Sequence, residues 1–219
     1  MDKAVKKCAI LFDLDGTLID STEAILESFH YALRKCSGVP ATDKDIIKLI
    51  GHPLDFMFAH LGVKKNVDQC VQRYKEHYHT IFTQKTKLLP NAKEAILLAH
   101  SFANLAIVTT KTGKYSKELM AYFGLEQYFS CIIGREDVVY PKPHPEPLIK
   151  AIKKIDALKE YTWMVGDTCL DMEAAYKANI SSIGLTCGYA SYTQLQRCSS
   201  HIASTPLEAV ELIQKICAS

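Results

Sequence analysis

Four short stretches of the chain carry side chains whose types and spacing could do chemistry. Asp13-Leu14-Asp15-Gly16-Thr17 closes an apolar run that begins at Cys8. Thr109, Thr110 and Lys111 follow Leu105-Ala106-Ile107-Val108, and Lys142 lies between Pro141 and Pro143. Gly166-Asp167-Thr168-Cys169-Leu170-Asp171 follows the apolar stretch that ends at Val165. Together they offer carboxylates, hydroxyls and ammonium groups, a mixture that suits phosphoryl transfer. Carboxylates suit a hard cation, and magnesium commonly binds through one or two of them plus phosphate oxygens and water. Lysine and threonine supply donors for the oxygens of a transferring phosphate. A carboxylate can also attack phosphorus and form a covalent intermediate. Asp13 and Asp15 are two apart, so in extended backbone they share a face, and Gly16 then lets the chain turn.

These residues act together only if the fold gathers them. Cys8 to Leu14 is predicted as a buried strand, and Ser21 to about Cys36 has helical spacing at Ala24, Ile25, Phe29, Ala32 and Leu33, with Ser21 as N-cap. Residues 43–82 hold three further helical patterns, and no strand is expected between about 20 and 88. From Pro90 the rhythm changes. Helices are expected at 90–100, 116–123, 146–155, 172–178 and from Pro206. Strands are expected at 105–108, 131–133, 161–165, near Ile183 and at 201–203. Alternation of this kind predicts an α/β fold, a doubly wound parallel sheet with helices on both faces. The helical block interrupts it after the first strand. The expected division is core 1–18, helical cap 19–86 and core 87–219. In such sheets ligands bind beyond the C-terminal strand ends, where each chemical stretch falls.

Taken singly, each stretch is ordinary. Asp-x-Asp-Gly is commonly a solvated turn, and Asp167 or Asp171 could serve a helix N-terminus. Their joint order is specific. Asp13-Leu14-Asp15-Gly16-Thr17-Leu18, Thr109 after its strand, Lys142 in Lys142-Pro143-His144-Pro145, and Gly166-Asp167 with Asp171 resemble, in register, the four motifs of the haloacid dehalogenase-like superfamily. The resemblance spans about residues 8–190. It implies that Asp13 is a nucleophile and that Asp15 protonates the leaving oxygen and later activates water. It implies that Thr109, with Thr110, and Lys142 hold the phosphate. Mg2+ would be ligated by Asp13, the backbone carbonyl of Asp15, and Asp167, with Asp171 supporting that shell. An acid at residue 15 favours phosphatase or phosphomutase chemistry over dehalogenation. Lys111 ranks behind Lys142 as a phosphate contact.

The motif spelling and Gly51-His52-Pro53-Leu54 most resemble phosphoglycolate phosphatases and their relatives. A small phosphorylated metabolite, 2-phosphoglycolate first, is therefore expected as substrate, with Gly51 and His52 reaching its leaving group. A pyrophosphatase or a β-phosphoglucomutase-type mutase is the alternative. The stretch Lys35 to Gln72 contains no arginine for a second phosphate, which weighs against the mutase. A non-catalytic binder of phosphate ligands is disfavoured because Asp13 and Asp15 are both present.

A net charge of +2 gives no electrostatic reason to expect nucleic acid, and no stretch is long enough to cross a bilayer. The eight cysteines contain no C-x-x-C pair and read as reduced thiols of a cytoplasmic protein, monomer or homodimer. His77 and His79 do not share a helical face and make a poor metal pair. Tyr74 and Tyr78 share a stripe that predicts packing.

Overall fold

A computed structural model describes residues 8–218. The elements run β1 Cys8–Phe12, β2 Ile19–Asp20, α1 Thr22–Cys36, α2 Asp43–Ile47, α3 Leu54–His60, α4 Val67–Ile81 and β3 Lys87–Leu88. There follow α5 Ala92–Phe102, β4 Ala103–Val108, α6 Gly113–Tyr122, β5 Cys131–Ile133, α7 Glu146–Lys154 and β6 Thr162–Gly166. The chain ends with α8 Cys169–Ala178, β7 Ser181–Leu185, α9 Tyr192–Leu195, β8 Ile202–Ala203 and α10 Pro206–Ala218. The residues Asp20–Lys87 form one compact unit, and the described residues on either side form the other.

The larger unit is built on a six-stranded sheet of order β5-β4-β1-β6-β7-β8. All its pairings are parallel. Parallel strands are covered on both faces, so β1 reads as a continuous apolar run, and every residue of Cys8–Phe12 is buried. Successive side chains alternate between faces. Ala9 and Leu11 join Ala106, Val108, Leu148, Ala151, Met164 and Ala175 in one core layer, which carries α7 and α8. The chain adds β4 and β5 on one side of β1, then reverses to add β6, β7 and β8 on the other. A crevice at the C-terminal ends of β4, β1 and β6 follows from this reversal.

The smaller unit is helical, apart from its share of the short β2-β3 pair. Helices α1 and α4 pack along each other. Phe29 meets Phe58 and Tyr74 at ring-centroid distances of 4.7 and 4.9 Å, and Tyr78 stacks on Tyr74 at 5.6 Å. The Tyr74–Tyr78 stripe is thus core. His77 stacks on Tyr31 and its Nε2 lies 3.0 Å from Glu27 Oε1, so it is committed to structure.

Several expectations are corrected. β2 and β3, two residues each, lie at the margins of the stretch where no strand was expected. α9 was not foreseen; four residues long, it is started by Ser191, whose Oγ accepts from Gln194 N–H. Ser21 occupies the N-cap of α1, but its side chain makes no capping bond. Asp20 Oδ1 accepts from Thr22 N–H at 3.0 Å instead. The cysteines are not all free: disulfides join Cys8 to Cys217 and Cys169 to Cys198, with Cα separations of 6.7 and 5.7 Å. Both separations lie within the range a disulfide can span. Cys36, Cys70, Cys131 and Cys187 remain thiols. Among the described residues, no helix is long and apolar enough to cross a membrane.

Alkylation of the unreduced protein, followed by peptide mass spectrometry, is expected to recover a Cys169–Cys198 crosslinked peptide and to label the half-buried Cys36. Full labelling of Cys169 and Cys198 without reductant would contradict the pairing.

Candidate active site

The end of β1 delivers Asp13, whose N–H donates to Val165 O at 2.9 Å and so continues the ladder into β6. The next residues fold back at once. Gly16 N–H donates to Ile19 O at 2.8 Å, and Leu18 N–H to Leu14 O at 2.9 Å. Gly16 has φ +78°, and a Cβ there would strike the Asp167 carboxylate and the Tyr189 ring. Glycine is required on both counts. Thr17, carried around by this turn, donates its Oγ1 hydrogen to Asp167 Oδ1 at 3.2 Å.

From the end of β6 come Asp167 and, one helical turn on, Asp171. Asp171 Oδ2 accepts from the backbone N–H and the hydroxyl of Thr168, at 3.1 and 2.8 Å, which fixes the start of α8. The carboxylate therefore caps the helix with one oxygen and faces the site with the other. Lys142, in the loop before α7, reaches in from the other direction. Its Nζ lies 2.9 Å from Asp13 Oδ1, 2.5 Å from Asp171 Oδ1 and 3.0 Å from Val108 O. An ammonium group has three donors, and all three are used.

Asp13, Lys142, Asp167 and Asp171 are all buried. One ammonium stands against three carboxylates whose ligand atoms lie within 4.8 Å of one another. Taking a charged carboxylate out of water costs several kcal/mol even after relaxation, and one lysine cannot offset three. The acids respond accordingly. Burial raises Asp13 from 3.8 to about 7, with Lys142 opposing and Asp171 reinforcing the shift. Burial, then the charges of Asp13 and Asp171, push the Asp167 pKa well above its ordinary value. Burial works against the Lys142 ammonium, but Asp13 and Asp171 outweigh it and hold its pKa above the ordinary value. A divalent cation among these oxygens would remove the deficit, and an all-carboxylate donor set is the one that hard cations take. The residues fit a metal of this kind.

The remaining predicted residues divide. Thr109 is buried at the end of β4, with its N–H donating to Ile133 O at 3.0 Å and its Oγ1 accepting from Lys111 N–H at 3.2 Å. Thr110 is half-buried beside it. Asp15 does not join the acidic cluster with its side chain. Its Oδ1 lies 3.2 Å from Lys111 Nζ. Gly51 and His52 belong to the helical unit, in the turn between α2 and α3. Gly51 has φ +103°, and the His52 ring stacks on Phe56 at 4.2 Å. Burial, then the nearby His60, lowers the His52 pKa, which disfavours a protonated ring there.

Sequence reasoning missed the segment after β7. Tyr189 N–H donates to Asp167 Oδ2 at 2.7 Å, and a Cβ at Gly188 would run into that carboxylate. The strand-end rule that located the other motifs applies equally to Thr186-Cys187-Gly188-Tyr189 and would have found it.

Comparison with known proteins agrees with this geometry. The family model described as haloacid dehalogenase-like hydrolase matches residues 10–185. A protein named pyrophosphatase PpaX from Halalkalibacterium halodurans is 35% identical over 83% of this chain and 83% of its own. A phosphoglycolate phosphatase from Yersinia pestis is 33% identical over 85% of this chain and 83% of its own. The solved structure of a haloacid dehalogenase-like family hydrolase from Streptococcus pneumoniae superposes with a TM-score of 0.84 at 28% identity, covering 96% of this chain and all of that one. With the family model spanning every one of the four motifs on the sheet, the chain belongs to the haloacid dehalogenase-like hydrolases.

Proposed function

We propose that this protein is a Mg2+-dependent phosphatase that passes through a phosphorylated Asp13. The observation that carries the reading is the buried cluster of Asp13, Asp167 and Asp171 around the Lys142 ammonium. So much buried negative charge is costly to keep in a fold unless it serves a ligand. Asp13 and Asp167, with the backbone carbonyl of Asp15, would hold Mg2+, and Asp171 would support that shell. When bound, the ion supplies charge stabilisation for the phosphate oxygens and keeps Asp13 ionised. Asp13 then attacks phosphorus, Thr109, Thr110 and Lys142 hold the transferring group, and Asp15 gives a proton to the leaving oxygen and later takes one from water.

The substrate is a small phosphorylated metabolite, with 2-phosphoglycolate placed first. The Yersinia pestis relative named for that activity supports it. Pyrophosphate is the second reading, favoured by the relative named pyrophosphatase at 35% identity. By resemblance to the phosphoglycolate phosphatases, Gly51 and His52 of the helical unit would select the leaving group. With the protonated ring disfavoured, His52 would donate a neutral N–H to a substrate carboxylate.

Phosphate release over a panel holding 2-phosphoglycolate, pyrophosphate and sugar phosphates tests the reading. The highest kcat/KM is expected on 2-phosphoglycolate, with Asp13→Asn losing at least about 10³-fold on every member, since an amide is a very poor nucleophile. Turnover by Asp13→Asn above a tenth of wild type would exclude the covalent route.

Mg2+ and protons compete for the raised carboxylates of Asp13 and Asp167. Well below about 7 Asp13 holds its proton, and the raised pKa of Asp167 works in the same direction, so the ion has fewer anionic ligands. Above about 7 Asp13 is ionised and binding is strongest. The rise in Tm on adding Mg2+ should therefore grow as pH increases from about 4 to about 7.5, and it should collapse in Asp13→Asn. A rise that is independent of pH, or retained in the variant, would place the ion elsewhere.

A further inference from the structure

We infer that Lys111 is a positioning residue for Asp15. This rests on the reading of Asp15 as the group that protonates the leaving oxygen. The carboxylates of Asp13, Asp167 and Asp171 are each anchored. Asp13 and Asp171 share Lys142, and Asp167 is held by Thr17 and the Tyr189 N–H. Lys142 has no donor left for Asp15, because its three are taken by Asp13, Asp171 and Val108 O. The second ammonium of the site is Lys111, whose Nζ lies 3.2 Å from Asp15 Oδ1.

The pair is not an ordinary surface contact. The side chains are only 8% and 13% exposed, so solvent screens them far less than the exposed pairs whose worth is small. The lysine is also held at its base. Its N–H donates to Thr109 Oγ1 at 3.2 Å, and its carbonyl accepts from Arg135 N–H at 3.0 Å. A side chain anchored at its own backbone therefore ties the Asp15 carboxylate to the loop after β4.

That tie matters because proton transfer demands closeness. A proton donor must come within about 2.6–3.2 Å of the leaving oxygen, and a misplacement of about 1 Å can cost about 10²-fold. A second role for the same ammonium is direct contact with the transferring phosphate. The two roles differ in what they make the reaction sensitive to. Phosphate contact helps every substrate alike, whereas orienting a proton donor helps only leaving groups that need a proton. An alkoxide needs one; p-nitrophenolate does not.

The experiment compares kcat/KM, which reports the step that forms the phosphorylated Asp13, across alkyl phosphates, phenyl phosphate and p-nitrophenyl phosphate. Lys111→Met is expected to lose about 10- to 100-fold on alkyl phosphates and less than about threefold on p-nitrophenyl phosphate, a part of the roughly 10²- to 10⁴-fold that general acid catalysis supplies. The alkyl loss should vanish when Lys111→Met is made in an Asp15→Asn background, and Lys111→Arg should recover much of it. Inhibition by inorganic phosphate should be unchanged in Lys111→Met. Equal losses across the series, a loss that persists in the Asp15→Asn background, weakened phosphate inhibition or no loss at all would each overturn the inference. Circular dichroism melting of each variant separates these outcomes from misfolding, and the Lys111→Arg recovery gives a second route to the answer. If the wild-type protein releases phosphate from none of the series, the phosphatase reading falls and this inference with it.

Discussion

The ammonium group of Lys142 holds together the end of the sheet. It is buried, and its three protons go to Asp13, Asp171 and the carbonyl of Val108. Those acceptors come from the ends of β1 and β4 and from the first turn of α8, so one side chain ties three separately delivered elements. Removing one partner of a buried charge network typically costs about 3–5 kcal/mol, because the charges left behind lose their compensation. The arrangement is nonetheless undercompensated, with three acids against one base. The deficit keeps the acids at raised pKa and makes the site receptive to a cation. Structural cohesion and chemical readiness come from the same charges.

Much of this was legible in the sequence. A parallel sheet could be read from the apolar runs at Cys8–Phe12, Leu105–Val108 and Tyr161–Val165, because strands covered on both faces lose their alternation. The carboxylates stood out because each follows such a run. The position of Lys142 could be read only from the family motif. Between two prolines it has the composition of a surface loop, and its burial is a tertiary fact. The same holds for Lys111, which follows Thr109 closely and was ranked as a second phosphate contact. The fold presents its ammonium to Asp15. Local spacing places a residue at a strand end, but the path of a four-carbon side chain depends on which partners are already taken.

Two misses have different causes. Disulfides link residues 209 and 29 apart, and no local pattern announces such pairs. The Cys169–Cys198 link ties the first residue of α8 to the stretch after α9. The Tyr189 contact uses a backbone N–H, which every residue but proline owns, so residue type carried no signal. Beside its place after a strand, the glycine before it was the hint that a backbone must pass close to something. In the helical unit, His52 shows the limit of residue identity for charge. Near-neutral titration is the reference behaviour of histidine, but burial and the nearby His60 shift this ring toward its neutral form.

If the Asp13 carboxylate itself takes up the phosphoryl group, an acyl phosphate stands at residue 13 during turnover. Acid quenching of the enzyme during steady turnover, reduction with borohydride and peptide mass spectrometry would test this most directly. An acyl phosphate is reduced to the alcohol, which converts an aspartate into homoserine, while a free carboxylate is left untouched. Homoserine is expected at residue 13, dependent on substrate and Mg2+, with Asp15, Asp167 and Asp171 unmodified. Homoserine at another of these aspartates, or none at any position under conditions of rapid turnover, would contradict it.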